Sequence, residues 1–252
     1  MKLIVAADDF GFSEAYSIGL IKACRDGIAT VAGLMPNMPA APFAVELQKR
    51  ELPDLCLVQH TNFVQGAPCS RPEDIPSLVD ENGMFFPSAE FKSGRRTMLY
   101  EDCKRETIAQ MERFRALTGT YPIHVEGHSV MSEVCFTAIA DAAKEFGIHH
   151  MELTKEEQPG FLHALEKLDY MEIINRGALP EDFLEDRFNL LNSNDEIRVL
   201  HFHPGYIDQY LLDNTTLTLP RCRDLAALCD QRVIDWIKEK GIELIDYMAL
   251  KV

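Results

Sequence analysis

Residues 3–13 read Leu3-Ile4-Val5-Ala6-Ala7-Asp8-Asp9-Phe10-Gly11-Phe12-Ser13. The first five are a short apolar run, the pattern of a buried strand. Two carboxylates follow at its C-terminal end, and Ser13 is placed to cap a helix. Adjacent ionised groups at a buried strand end are poorly explained by packing, because charges leave water only when paired or metal-bound. Solvated aspartates in a turn before the Ser13 cap are the plain alternative, and this motif alone does not choose. The first residues are apolar for only a few positions before Asp8, so they predict a first strand, not a targeting segment.

Strand and helix alternate outward from this unit. The spacing predicts strands over 29–34, 55–60, 122–126, 148–153, 170–174, 197–202 and 242–245. It predicts helices from Ser13 towards Gly27, from Pro39 and Pro42 through Leu47, and over 100–117, 132–146, 180–191 and 224–240. Such alternation favours a parallel sheet with helices outside. A (β/α) barrel is the expected α/β architecture, and 252 residues suit one. An open doubly wound sheet lacks a G-x-G-x-x-G turn after the first strand. One barrel domain over 1–252 is expected. Residues 61–99, rich in Pro, Gly, Ser and charge, read as a long insertion that shapes specificity.

The formal net charge is -15. A surface this acidic repels phosphate backbones and anionic membranes, so neither nucleic acid nor a membrane is an expected partner. The 7 cysteines are odd in number and contain no C-x-x-C pair. That excludes a zinc-thiolate site of the usual spacing and points to a reduced, cytoplasmic chain.

Several predicted strands end in groups that carry chemistry. His60 closes the third, and alone it would be structural. The next contains His124, Glu126 and His128, which share a face at a period of two. A later one carries His201 and His203, again on one face, before Pro204 and Gly205. In a parallel barrel the C-terminal strand ends converge on one face. One carboxylate and two imidazoles suit a hydrolytic divalent metal with open positions. A second carboxylate can then take a proton and a further histidine can give one. Arg221, just after Pro220, is either a charge at a helix start or a cation that orients a carboxylate. His149 and His150 read as structural, and His163 as lying on a helix or loop surface. Ser13, Ser70 and Ser129 lack a G-x-S-x-G setting, against a serine hydrolase.

At these residues the chain resembles the YdjC-like family of carbohydrate deacetylases. The matching pieces are Ala7-Asp8-Asp9-Phe10-Gly11-Phe12-Ser13, Asp26-Gly27-Ile28-Ala29-Thr30 and Leu34-Met35-Pro36-Asn37-Met38-Pro39-Ala40. His60, Gly127-His128, His203-Pro204-Gly205 and Leu219-Pro220-Arg221 follow in order. The resemblance spans residues 3–245 and implies a distorted, TIM-like barrel of the polysaccharide-deacetylase type. It implies a divalent metal, magnesium first and zinc as the alternative, and a homodimer. It implies Asp9, His60 and His128 as metal ligands and Asp8 as base, with the two aspartates interchangeable. It implies His203 beside the leaving amine and Arg221 near the aspartates. The chain departs from the pattern in two places. The family's Asp-Gly-His-Gln-His-Val-His is here Glu126-Gly127-His128-Ser129-Val130-Met131-Ser132, and its Gly-Leu-His-Leu is Val58-Gln59-His60-Thr61.

The expectation is therefore a metal-dependent hydrolase that removes acetyl groups from N-acetylated amino sugars or small oligosaccharides. Two alternatives stand beside it. One is a glycoside hydrolase acting on a disaccharide or its phosphate, with Asp8 and Glu126 flanking the bond. The other is a non-catalytic sugar-binding member of the family.

Overall fold

Strand β1, Lys2–Phe10, is the spine of the sheet. The computed structural model describes residues 1–130, 132–150, 161–163, 168–191 and 196–250. Beside β1 lie β2 (Val31–Leu34), β3 (Cys56–Thr61), β4 (His124–Gly127), β5 (His149–His150), β6 (Phe161–His163), β7 (Ile197–Phe202) and β8 (Glu243–Leu244). The order is β5-β4-β3-β2-β1-β7-β6, with β8 added on β1. Every one of these pairings is parallel. Among the described residues β5 and β6 end the path without pairing to each other. The result is a distorted, open barrel. The distortion shows along one edge of β1. The carbonyls of Met1 and Leu3 accept from β8 and its next residue, and that of Val5 accepts from Thr30, just before β2.

Alternation along β1 sorts its side chains. Leu3, Val5 and Ala7 pack outward against the helical layer. Ile4 and Ala6 point inward, with Val31, Cys56, Val58, Val199 and Tyr247. The inward positions one step further along are Asp8, Gly33, His60, Glu126 and His201. The lower barrel is thus filled by apolar side chains and the layer above it by ionisable ones. That layer lies at the carboxyl ends of the strands, where parallel barrels build their sites.

The helices are α1 (Glu14–Asp26), α2 (Ala41–Glu51), α3 (Ser88–Lys92), α4 (Tyr100–Thr118), α5 (Glu133–Glu145), α6 (Leu168–Arg176), α7 (Pro180–Leu184), α8 (Gln209–Asn214), α9 (Leu219–Leu228) and α10 (Gln231–Glu239). Ser13 caps α1 by accepting from the Tyr16 amide at 3.2 Å. Gly119 closes α4 with a left-handed φ of 97°.

Some expectations from sequence are corrected. Residues 170–174 lie inside helix α6, not in a strand. Leu168, Met171 and Ile174 recur at helical spacing, and Gly177 stops the helix with φ 81°. The helix expected over 180–191 ends at Leu184 and gives way to turns with left-handed Asp186 and Asn189. The helix expected over 224–240 is two, because Asp230 starts α10 as its cap, accepting from the Arg232 amide. His163 closes β6 and is not on a helix or loop. Of the strand expected over 148–153, His149–His150 is seen and residues 151–153 lie outside the described residues.

Residues 62–99 carry a 3₁₀ turn at Pro72–Asp74, the short α3 and a bridge between Val79 and Phe85. Their own apolar cluster, with Phe63, Ile75, Leu78 and Phe85, continues into Cys103 and Ala138. Helix α4 holds this segment through buried Glu106, which accepts from the amides of Cys69 and Ser70 at 2.9 and 2.8 Å.

Candidate active site

Asp8 and Asp9 are neighbours in sequence, so a regular strand would point them to opposite faces. The backbone prevents this. Between Ala7 and Phe10 the register on β2 advances only from Ala32 to Leu34, so β1 carries one extra residue there. Asp9 takes a left-handed φ of 67°. A non-glycine residue in that region is costly unless its surroundings hold it. The bulge brings both carboxylates to the same cavity.

Asp9 is fully buried, and its partners hold it from two sides. Its Oδ2 lies 2.8 Å from Nη2 of Arg221. Its Oδ1 lies 2.9 Å from His128 Nδ1 and 3.3 Å from His60 Nε2. The two imidazole nitrogens are 3.2 Å apart. Three potential ligand atoms thus form a near-equilateral triangle. Burial pushes the Asp9 carboxyl up, but His128 and Arg221 outweigh it and hold it well below the usual range. Arg221 is itself buried. Its Nε donates to the Leu217 carbonyl at 2.8 Å, and its guanidinium stacks on Tyr16 and Phe12.

Asp8 belongs to a second group with Glu126 and His201, whose nearest donor atoms all lie within 4.8 Å of one another. His201 Nδ1 is 3.1 Å from Asp8 Oδ2 and 3.8 Å from Glu126 Oε2. Among the described residues Asp8 Oδ1 has no hydrogen-bond partner. Burial, then the neighbouring Glu126 charge, push Asp8 up to about 6, against the pull of His201 and His60. Burial disfavours the charged form of His201, but Asp8 and Glu126 raise it to about 9. Glu126 is held well below its usual value: burial raises it, and His201, His124 and His60 outweigh that. Its Oε1 is 3.2 Å from His60 Nδ1.

The crowding of these groups depends on β2. A Cβ added at Gly33 would sit 3.2 Å from both Asp8 Oδ1 and Glu126 Oε1 and 3.3 Å from the His60 Cβ. Glycine there lets side chains from β1, β3 and β4 meet across the strand between them.

Above the layer is a cavity of about 890 Å³. It exposes Asp8, Asp9, His60, Glu126, His128, His201, His203 and Arg221 to a rim of Gln65, Lys92, Asn175, Asn214, Thr215 and Thr216. Lys92 of α3 donates to Ser129 Oγ at 3.2 Å, so the 61–99 segment reaches the rim. His203 lines the same cavity. Its amide donates to Asp224 at 2.8 Å, and among the described residues its Nδ1 has no hydrogen-bond partner. Burial pushes its imidazolium down to about 3, so it is neutral.

The structure therefore brings Asp8, Asp9, His60, His128, His203 and Arg221 to one cavity. His201, whose imidazole bridges Asp8 and Glu126, was noted in the sequence only for sharing a face with His203. That shared face was the available signal. His149 lies away from the site, at the β4–β5 pairing, with its Nδ1 2.7 Å from that of His124.

A family model described as YdjC-like protein matches residues 2–239. A carbohydrate deacetylase of Clostridium beijerinckii is 32% identical over 254 residues, covering 98% of this chain and 99% of its own. An Enterococcus faecalis V583 protein, whose crystal structure is named for a proposed cellobiose-phosphate cleavage, aligns with a TM-score of 0.86 at 26% identity. That alignment covers 100% of this chain and 99% of the other. A peptidoglycan N-acetylglucosamine deacetylase shares the fold with a TM-score of 0.54 at 13% identity, covering 99% of this chain and 87% of its own.

Proposed function

The chain belongs to the YdjC-like protein family, and from that premise we propose that it is a metal-dependent deacetylase of N-acetylated amino sugars or small oligosaccharides. One observation carries this: the triangle of Asp9 Oδ1, His60 Nε2 and His128 Nδ1, with edges of 2.9, 3.2 and 3.3 Å. Ligand atoms sharing one divalent ion at bonds of about 2.1 Å lie about 3 Å apart, so the residues fit. Two imidazoles favour zinc or a similar first-row ion over magnesium, which prefers oxygen donors. When bound, the ion polarises the acetyl carbonyl and acidifies water.

The protein's own groups supply the rest. Arg221 engages one oxygen of Asp9 and leaves the other to the histidines. Asp8 lines the cavity, has an affinity near neutral pH and, among the described residues, no hydrogen-bond partner for its Oδ1; it takes a proton from the attacking water. The water oxygen bonds to the acetyl carbon, the C–N bond breaks, and the amine leaves with a proton, giving acetate and a free amino sugar. His203 stands beside the leaving nitrogen. Being neutral at rest, it passes on a proton only after receiving one. His201 is the resting imidazolium and balances Asp8 and Glu126. The rim amides and hydroxyls offer neutral hydrogen-bond partners suited to sugar hydroxyls. The seven free cysteines support a reduced, cytoplasmic setting.

Cleavage of a glycosidic bond draws on the proximity of Asp8 and Glu126. It is the weaker reading, because Glu126 Oε1 is engaged by His60 Nδ1 at 3.2 Å. Replacing His128 by Ala tests the preferred one. Zinc binding and acetate release should both be lost, and full retention of both would overturn the assignment.

A further inference from the structure

We infer that Glu126 is a positioning residue that fixes the orientation of His60 and so completes the metal-binding triangle. The inference rests on the metal reading above. The two nitrogens of an imidazole lie on opposite edges of the ring, so a partner for one aims the other. Glu126 Oε1 lies 3.2 Å from His60 Nδ1. The opposite edge then presents Nε2 to Asp9 Oδ1 at 3.3 Å and to His128 Nδ1 at 3.2 Å. Among the described residues no other hydrogen-bond partner of His60 Nδ1 is seen. The carboxylate on that edge selects the tautomer with the proton on Nδ1 and a bare Nε2, the form a cation needs.

Glu126 is well built for this. It sits on β4 in register with His60 on β3. Its carboxylate crosses the space that Gly33 leaves open, passing where a Cβ would come within 3.2 Å of Oε1. Its Oε2 lies 3.7 Å from His124 Nε2 and 3.8 Å from His201 Nδ1.

The test is zinc affinity by chelator competition for the wild type, E126A, E126Q and E126D, with His60 followed by imidazole nitrogen NMR in the zinc-loaded proteins. E126A should bind one zinc about 10- to 100-fold more weakly. E126Q keeps an acceptor oxygen without the charge and should fall between. E126D should fail to restore affinity, because it falls short of His60. The wild type should show a slowly exchanging, downfield Nδ1–H of His60 hydrogen-bonded to the carboxylate, and in E126A that proton should exchange faster and lose its downfield shift. If E126A does not fold, E126Q and the NMR signature carry the test. Wild-type affinity and an unchanged His60 signature in the variants would overturn the positioning role alone. A wild type that binds no zinc would overturn the metal reading and this inference with it.

Discussion

Asp9 and Arg221 form an ion pair of 2.8 Å in which neither side chain is more than 2% exposed. Removing one partner of such a pair strands the other charge away from water, which costs about 3–5 kcal/mol. Arg221→Met should therefore destabilise the chain by roughly that much in urea unfolding. The acid limb should respond too. Asp9 is held below its unfolded value, so it contributes stability above about pH 4 that is lost as pH falls through the folded value. R221M should shrink this pH dependence. An unchanged midpoint and acid limb would remove Arg221 from the account.

Asp8 shifts the other way. Burial and then Glu126 raise it to about 6. Its protonated form contributes stability fully present below about pH 4 and lost as pH rises through about 6. As a base it works only when ionised, so kcat/KM should climb through about pH 6 from the acid side. Asp8→Asn should cut kcat about 100-fold or more and abolish that limb. A pH–rate profile decides, and a D8N profile with the same limb would assign the base elsewhere.

His203 should separate binding from turnover. His203→Ala should leave one zinc bound and lower kcat about 100-fold or more. Metal content and initial rates on the same sample provide the check, and loss of the metal would make His203 a ligand.

Gly33→Ala places a Cβ against Asp8, Glu126 and His60 at once. Overpacking of this kind costs about 1–3 kcal/mol. Zinc affinity should fall alongside stability, because the three side chains must spread. Wild-type affinity in G33A would mean the layer tolerates the extra methyl.

Much of this was legible in the amino-acid order, for a physical reason. Parallel strands put all their carboxyl ends on one face, so Asp8, Asp9, His60, His128 and His203 could be gathered without knowing any distance. The bulge at Asp8–Asp9 could not be read, since nothing in Ala7-Asp8-Asp9-Phe10 states that Asp9 adopts φ 67°. Helix α6 was misread because Ile173 and Ile174 favour strands locally, while burial of one helical face decides the outcome. The division between α9 and α10 turns on Asp230 acting as a cap inside a continuous helical pattern. Glu126 and His201 were visible as same-face neighbours of His128 and His203, but their contacts to His60 and Asp8 depend on which strands pair, β4 with β3 and β7 with β1.

Metal-dependent removal of an acetyl group would show as acetate release. Purified protein would be incubated with N,N′-diacetylchitobiose after zinc or magnesium loading, and in parallel with a chelator. Acetate formed with metal, suppressed by chelator and absent in D8N is the predicted result. No acetate from folded, metal-loaded protein across a panel of N-acetylated sugars, or release indifferent to chelator, would contradict it.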